Sequence, residues 1–123
     1  MTKRLTSHGL ATRKHKADER LRAKVFVQLC KQRGLPEPTL EHRIIPDRKY
    51  AWDICFIPWK VAVEIQGGIF TRGAHSRPTG QLRDMEKANL AAMRNWLILY
   101  VTPDQLCTSE TLTMLELTLK VAA

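Results

Sequence analysis

Two short strand-patterned runs, separated by a Pro-Trp pair, constrain this chain more than any other feature. Over residues 50–57, Trp52, Ile54 and Phe56 alternate with Ala51, Asp53 and Cys55, and alternation of this kind puts the two sets on opposite faces of a strand. Pro58-Trp59 makes a tight turn. Over residues 60–66, Val61, Val63 and Ile65 then alternate with Ala62, Glu64 and Gln66. So short a connection makes the two strands antiparallel neighbours. Asp53 and Glu64 then fall close together on one sheet face. Burying a carboxylate is costly unless it is paired or binds a metal, and two adjacent carboxylates repel unless a cation lies between them. Hard oxygen donors completed by water suit Mg²⁺. Two solvated acids on an open sheet face would need no ligand, and the alternation alone does not choose between these readings.

The rest of the chain places helices around this pair. Residues 17–33 repeat Leu21, Val25 and Leu29 every four positions, the spacing of one helical face. Gly34 follows as a left-handed cap, and Pro36 blocks continuation. Residues 40–45 are β-prone, and Pro46-Asp47 starts a turn. Residues 69–80, rich in Thr, Gly, His, Ser, Arg and Pro, read as a long loop of the kind that often carries function. Residues 81–94 form a helix with Leu82, Met85, Ala92 and Met93 on its apolar side, capped by Asn95. Residues 97–101 form a short buried strand. Residues 109–121 form a last helix with Leu112, Leu115 and Leu119 on its core face. The expected order is α-β-β-β-α-β-α, an α/β fold with a mixed central sheet flanked by helices.

A length of 123 residues supports one domain and one core. We read residues 1–16 as a basic, flexible arm carrying Lys3, Arg4, Arg13, Lys14 and Lys16 and no acid, and residues 17–123 as the domain. The net charge of +8 favours a polyanionic partner, nucleic acid above all, over a merely solvated basic surface. Three cysteines without paired spacing argue against a disulfide framework and for reduced thiols in the cytoplasm. They also offer no zinc pattern. No apolar run reaches the ~18 residues that a membrane span needs.

The run Asp53-x10-Glu64-x-Gln66 on adjacent strands resembles the PD-(D/E)XK nuclease core. Around it stand Arg48-Lys49-Tyr50-Ala51-Trp52-Asp53 and Val61-Ala62-Val63-Glu64-Ile65-Gln66-Gly67-Gly68. They are followed by Gly73-x-His75-x4-Gly80, Asp84-x2-Lys87-x-Asn89 and Asn95-Trp96. This longer pattern, over about residues 17–105, is similar to small phage and bacterial endonuclease-like proteins of that superfamily, to very-short-patch repair endonucleases and to small Holliday-junction resolvases. The resemblance implies a restriction-endonuclease-like core. It also implies that Asp53, Glu64 and the backbone carbonyl of Ile65 bind Mg²⁺ or Mn²⁺, which would activate water and screen charge on the scissile phosphate. Glu19 could add a carboxylate through water, or serve only to complement the dipole of the first helix.

One departure is Gln66, where the family usually has Lys. Gln can orient a water or a phosphate but brings no charge. Lys87, one turn from Asp84, is the candidate replacement cation; an exposed ion pair between the two is the plainer alternative. His75 could touch phosphate or carry a proton, or have no role. Arg13, Lys14, Lys16, Arg72, Arg77 and Arg83 would hold the DNA backbone without reading sequence. Gly67 and Gly68 would let the backbone turn sharply, and Trp59, in its turn, is the tryptophan expected to be exposed. The reading is a metal-dependent DNA endonuclease, structure-selective for junctions, branches or nicks, with a homodimer compatible with two-strand cutting. The alternative is a non-catalytic nucleic-acid-binding module on the same fold.

Overall fold

The computed structural model describes residues 7–67 and 78–122, with side chains over 16–67 and 80–122. Its elements run α1 (Ser7–Gln32), β1 (Thr39–His42), β2 (Trp52–Phe56), a 3-10 turn (Ile57–Trp59), β3 (Val61–Ile65), α2 (Pro78–Met93), β4 (Leu97–Val101), the one-turn α3 (Pro103–Leu106) and α4 (Ser109–Ala122). The four strands form one mixed sheet in the order β1-β2-β3-β4, antiparallel except for the parallel β3–β4 pair. That parallel pair is the crossover through α2. The turn between β2 and β3 closes with Lys60 in the left-handed conformation, its N–H donating to the Ile57 carbonyl.

Helices cover both sheet faces. On one face Phe26 and Cys30 of α1, Leu106 of α3 and Leu112, Leu115 and Leu119 of α4 bury Ile54, Phe56, Val61 and Val63. On the other face Ala91 of α2 joins Trp52, Cys55 and Ala62. Gly34 takes the left-handed cap that ends α1, and Asn95 does the same after α2. α3 was not anticipated from the sequence. It is closed by a capping box in which the Thr102 hydroxyl accepts from the Gln105 N–H, and the Gln105 side chain accepts from the Thr102 N–H.

Several expectations are corrected. α1 begins at Ser7, so part of the expected arm is helix. Its buried stripe is Phe26, Leu29 and Cys30 rather than Leu21, Val25 and Leu29, because Leu21 is 62% exposed and Val25 43%. Trp52 packs with Cys55 and Ala62, not with Ile54 and Phe56, because the regular β2–β3 pairing stops at Ile54 and Val63. On α2, Leu82 (64%) and Met93 (77%) are exposed, as are Met85 and Ala92. The helix instead turns Ala91 and the half-buried Lys87 and Ala88 inward. β4 lies at the sheet edge among the described residues, with only Val101 fully buried. Trp59 is half-buried and packs on the core. Gly67 is outside the left-handed region, and a Cβ there would meet only Pro103 at 4.0 Å, so its backbone does not require glycine. Gly68 lies outside the described residues.

The corrected α1 stripe gives a direct test. Phe26→Ala should destabilise by about 3–5 kcal/mol, the usual result of emptying an aromatic site in a core. Leu21→Ala should change stability by about 0.5 kcal/mol or less. Urea unfolding of both variants reads the difference, and equal losses would contradict this packing.

Candidate active site

β2 and β3 part at Asp53 and Glu64, and the side chains take over from the ladder. The Asp53 N–H donates to Glu64 Oε1 at 2.8 Å, and the Ile65 N–H donates to Asp53 Oδ2 at 2.8 Å. Each carboxylate therefore braces the backbone of the opposite strand, which fixes both without a dedicated loop. N–H and C=O of one strand residue point to the same side, so the Ile65 carbonyl shares the side on which its N–H meets Asp53.

Lys87 reaches this pair from above. Its ammonium lies 2.7 Å from Glu64 Oε2 and 4.9 Å from the centre of a Trp52 ring. An ammonium over an indole face is attracted by the ring quadrupole, so Trp52 and Glu64 together hold it. One residue earlier, Glu86 accepts from the Tyr50 hydroxyl at 3.0 Å and pairs with Arg48 at 3.3 Å, tying α2 to the segment that enters β2. Tyr100 stands opposite Glu64 in the β3–β4 register. Burial, then the charges of Glu64 and Asp84, push its hydroxyl up.

Asp53 opens into a cleft of about 520 Å³ between α1 and the sheet. Lys16, Arg20 and Lys24 stand on the α1 side, with Glu19 between them; Leu40 and Glu41 stand opposite. Burial foremost, and the Glu64 charge next, push the Asp53 carboxyl from the ordinary 3.8 up to about 6. The Ile65 N–H and the Lys87 ammonium pull the other way, and Glu19 adds a small upward push.

That shift has a sign that can be measured. Between about 4 and 6 the folded chain keeps this proton and the unfolded chain has lost it. The contribution of Asp53 to stability is thus fully present at low pH and is lost as pH rises through the folded value. Asp53→Asn keeps an acceptor for the Ile65 N–H and removes the charge. Its Tm in EDTA should exceed the wild-type value above pH 6 and converge on it near pH 4. Thermal melts across that range check this, and an Asn variant melting lower at pH 8 would contradict it.

Asp53, Glu64, Ile65, Glu19, Lys16 and Lys87 are thus brought together. Gln66 follows β3, its N–H donating to the Val101 carbonyl at 2.7 Å. Arg83 is exposed on α2 near Tyr50 and does not line the cleft. Arg13 and Lys14 belong to α1, with side chains outside the described residues, and Arg72, His75 and Arg77 lie outside them altogether. The sequence reading missed Arg20 and Lys24, whose signal was present: with Lys16 they repeat every four residues, on one helix face. It also missed the contact of Trp52 with Lys87.

The three thiols are free. Burial holds Cys30 up at about 11 and Cys55 at about 12. No helix among the described residues is long and apolar enough to cross a membrane. Comparison with protein families, characterised proteins and solved structures finds no match.

Proposed function

We propose that this chain is a metal-dependent DNA endonuclease on a restriction-endonuclease-like core. The observation that carries the reading is the placement of Asp53 and Glu64. They are locked into each other's strands where β2 and β3 separate, beside a cleft walled by Lys16, Arg20 and Lys24. Among the described residues no group of three or more His, Cys, Asp or Glu is placed to hold a metal. The donor set is therefore two carboxylates and a backbone carbonyl. That set fits Mg²⁺, which keeps several waters and takes only one or two carboxylates. Burial foremost, and the Glu64 charge next, raise the Asp53 carboxyl, and a bound cation would favour its charged form.

Asp53, Glu64 and the Ile65 carbonyl would hold Mg²⁺ or Mn²⁺. When bound, the ion supplies an easily deprotonated water and positive charge beside the phosphate. The chain's own groups do the rest. Lys16, Arg20 and Lys24 hold the phosphodiester backbone. Lys87 supplies the positive charge that Gln66 lacks and faces the charge that grows on the phosphate. Gln66 can orient a water. Cations that hold the backbone carry no sequence information, which favours cutting by DNA shape, at junctions, branches or nicks.

The contact of Lys87 with Glu64 also favours a second reading, a binding module without catalysis, in which this ammonium stands permanently where a metal would go. A cleavage assay on linear, flap, nicked and four-way DNA separates the two. The nuclease should cut with Mg²⁺ or Mn²⁺, stop in EDTA, and bind without cutting in Ca²⁺, whose looser coordination activates water less. Cutting that persists in EDTA excludes this mechanism, and binding without cutting under any metal favours the module.

A further inference from the structure

We infer that the cleft between α1 and the sheet is a track for a single strand of DNA, gripped, among the described residues, along its α1 wall. The inference rests on the nucleic-acid reading above and names the substrate class it takes.

The two walls differ in charge. Lys16, Arg20 and Lys24 occupy successive turns on one side of α1 and are all exposed; with Glu19 between them that wall still carries a net charge of +2. At about 1.5 Å rise per residue, the three span roughly 12 Å. A row of cations with a regular pitch matches a row of phosphates. The facing wall has Leu40, half-exposed, and Glu41, a carboxylate. A duplex carries two phosphate backbones across a minor groove about 6 Å wide, and the second would approach Glu41. A single strand avoids this repulsion. Its phosphates run along α1, its bases turn to the apolar side of Leu40, and its backbone passes Asp53 at the floor.

The size agrees with this. A cleft of about 520 Å³ is on the scale of a small-ligand site and takes roughly one or two nucleotides, not a helix. A basic groove that tracks the backbone is a general means of holding unpaired strands, and Leu40 offers the bases an apolar contact in place of the usual aromatic one. The strand to be cut must therefore leave the duplex, so a flap, a gap or a branch point meets the cleft and intact duplex does not.

Fluorescence anisotropy with the full chain tests this in EDTA, where nothing is cut. The probes are an oligo(dT) and a blunt duplex, each of about 15 residues, near the usual site size of single-strand binders. Wild type should bind oligo(dT) at least about tenfold more tightly than the duplex, because, among the described residues, the α1 wall is the one that attracts phosphate. Changing Lys16, Arg20 and Lys24 together to Ala should abolish that preference. It should also flatten the log–log salt slope by about 2, at roughly 0.7 per phosphate lost. Glu41→Lys should tighten duplex binding and narrow the gap. Circular dichroism confirms that the variants fold, since all four residues are exposed. Equal affinity for both probes, no binding to either, or an unchanged slope in the triple variant overturns the proposal. A single-strand preference without cleavage on adding Mg²⁺ leaves the track standing and overturns the nuclease reading.

Discussion

Asp53→Ala and Glu64→Ala should each abolish metal-dependent cleavage, by about 10⁴-fold or more, as when one member of a catalytic unit is removed. DNA binding should change little, because the cations of α1 remain. The two positions differ in what else they hold. Glu64 accepts from the Asp53 N–H and from Lys87, so Glu64→Ala leaves a buried N–H and an ammonium without their partner. Glu64→Gln keeps an acceptor for the Asp53 N–H and is the cleaner variant. Asp53→Asn likewise keeps the bond from the Ile65 N–H. Loss of cleavage in the isosteric pair, with unchanged anisotropy on DNA, assigns the defect to chemistry. An Asp53→Asn protein that still cuts with Mg²⁺ would refute the metal site.

Lys87→Ala should lower the chemical step by roughly 10²–10³, the usual effect of losing one charge-stabilising group. The geometry favours a role beyond the surface: Lys87 is only 21% exposed and contacts Glu64 rather than projecting into solvent. Lys87→Arg keeps the charge but not the compact ammonium seated on Trp52, and should recover part of the rate. Gln66→Lys, just beyond the strand carrying Glu64, should be nearly neutral alone and partly rescue Lys87→Ala. Single-turnover rates on a saturating flap substrate separate this from weaker binding. A Lys87→Ala protein with an unaltered single-turnover rate would reduce Lys87 to a counter-ion of Glu64.

The sheet and its two carboxylates were legible because the two runs are short and joined by a tight turn, although strict alternation failed at Trp52. The core residues of α4 were legible because Leu112, Leu115 and Leu119 repeat at helical spacing on one face, while Leu117 and Val121 fall on the exposed side. α1 and α2 were harder. On α1, Leu21 and Val25 form a plausible apolar stripe that the fold turns to the exposed side, and only contact with the core shows that Phe26 and Cys30 are the buried pair. On α2 the amphipathic pattern pointed outward because the inward face carries Lys87 and small alanines. A helix lying over a charged site breaks the rule that polar residues face water. Asp53, Glu64 and Lys87 were all nameable from spacing, and Lys16, Arg20 and Lys24 shared a visible four-residue repeat, whereas the place of Glu41 opposite them depends on how α1 lies over β1, which no local pattern encodes.

At the end of α1 remote from the cleft, Arg33 donates to Ser109 Oγ at 2.7 Å, to Glu116 Oε1 at 2.9 Å and to Thr113 Oγ1 at 3.3 Å. The helix is thus a cantilever: its root is bolted to α4, Phe26 and Cys30 seat its middle, and Lys16 and Arg20 ride on the overhanging part. A beam anchored this way turns a small rotation at the root into a larger displacement at the tip. Glu116 supplies one of the three bonds at this root, and Ser109 and Thr113 supply the others. The position of the cationic wall thus depends on side chains that never meet the ligand.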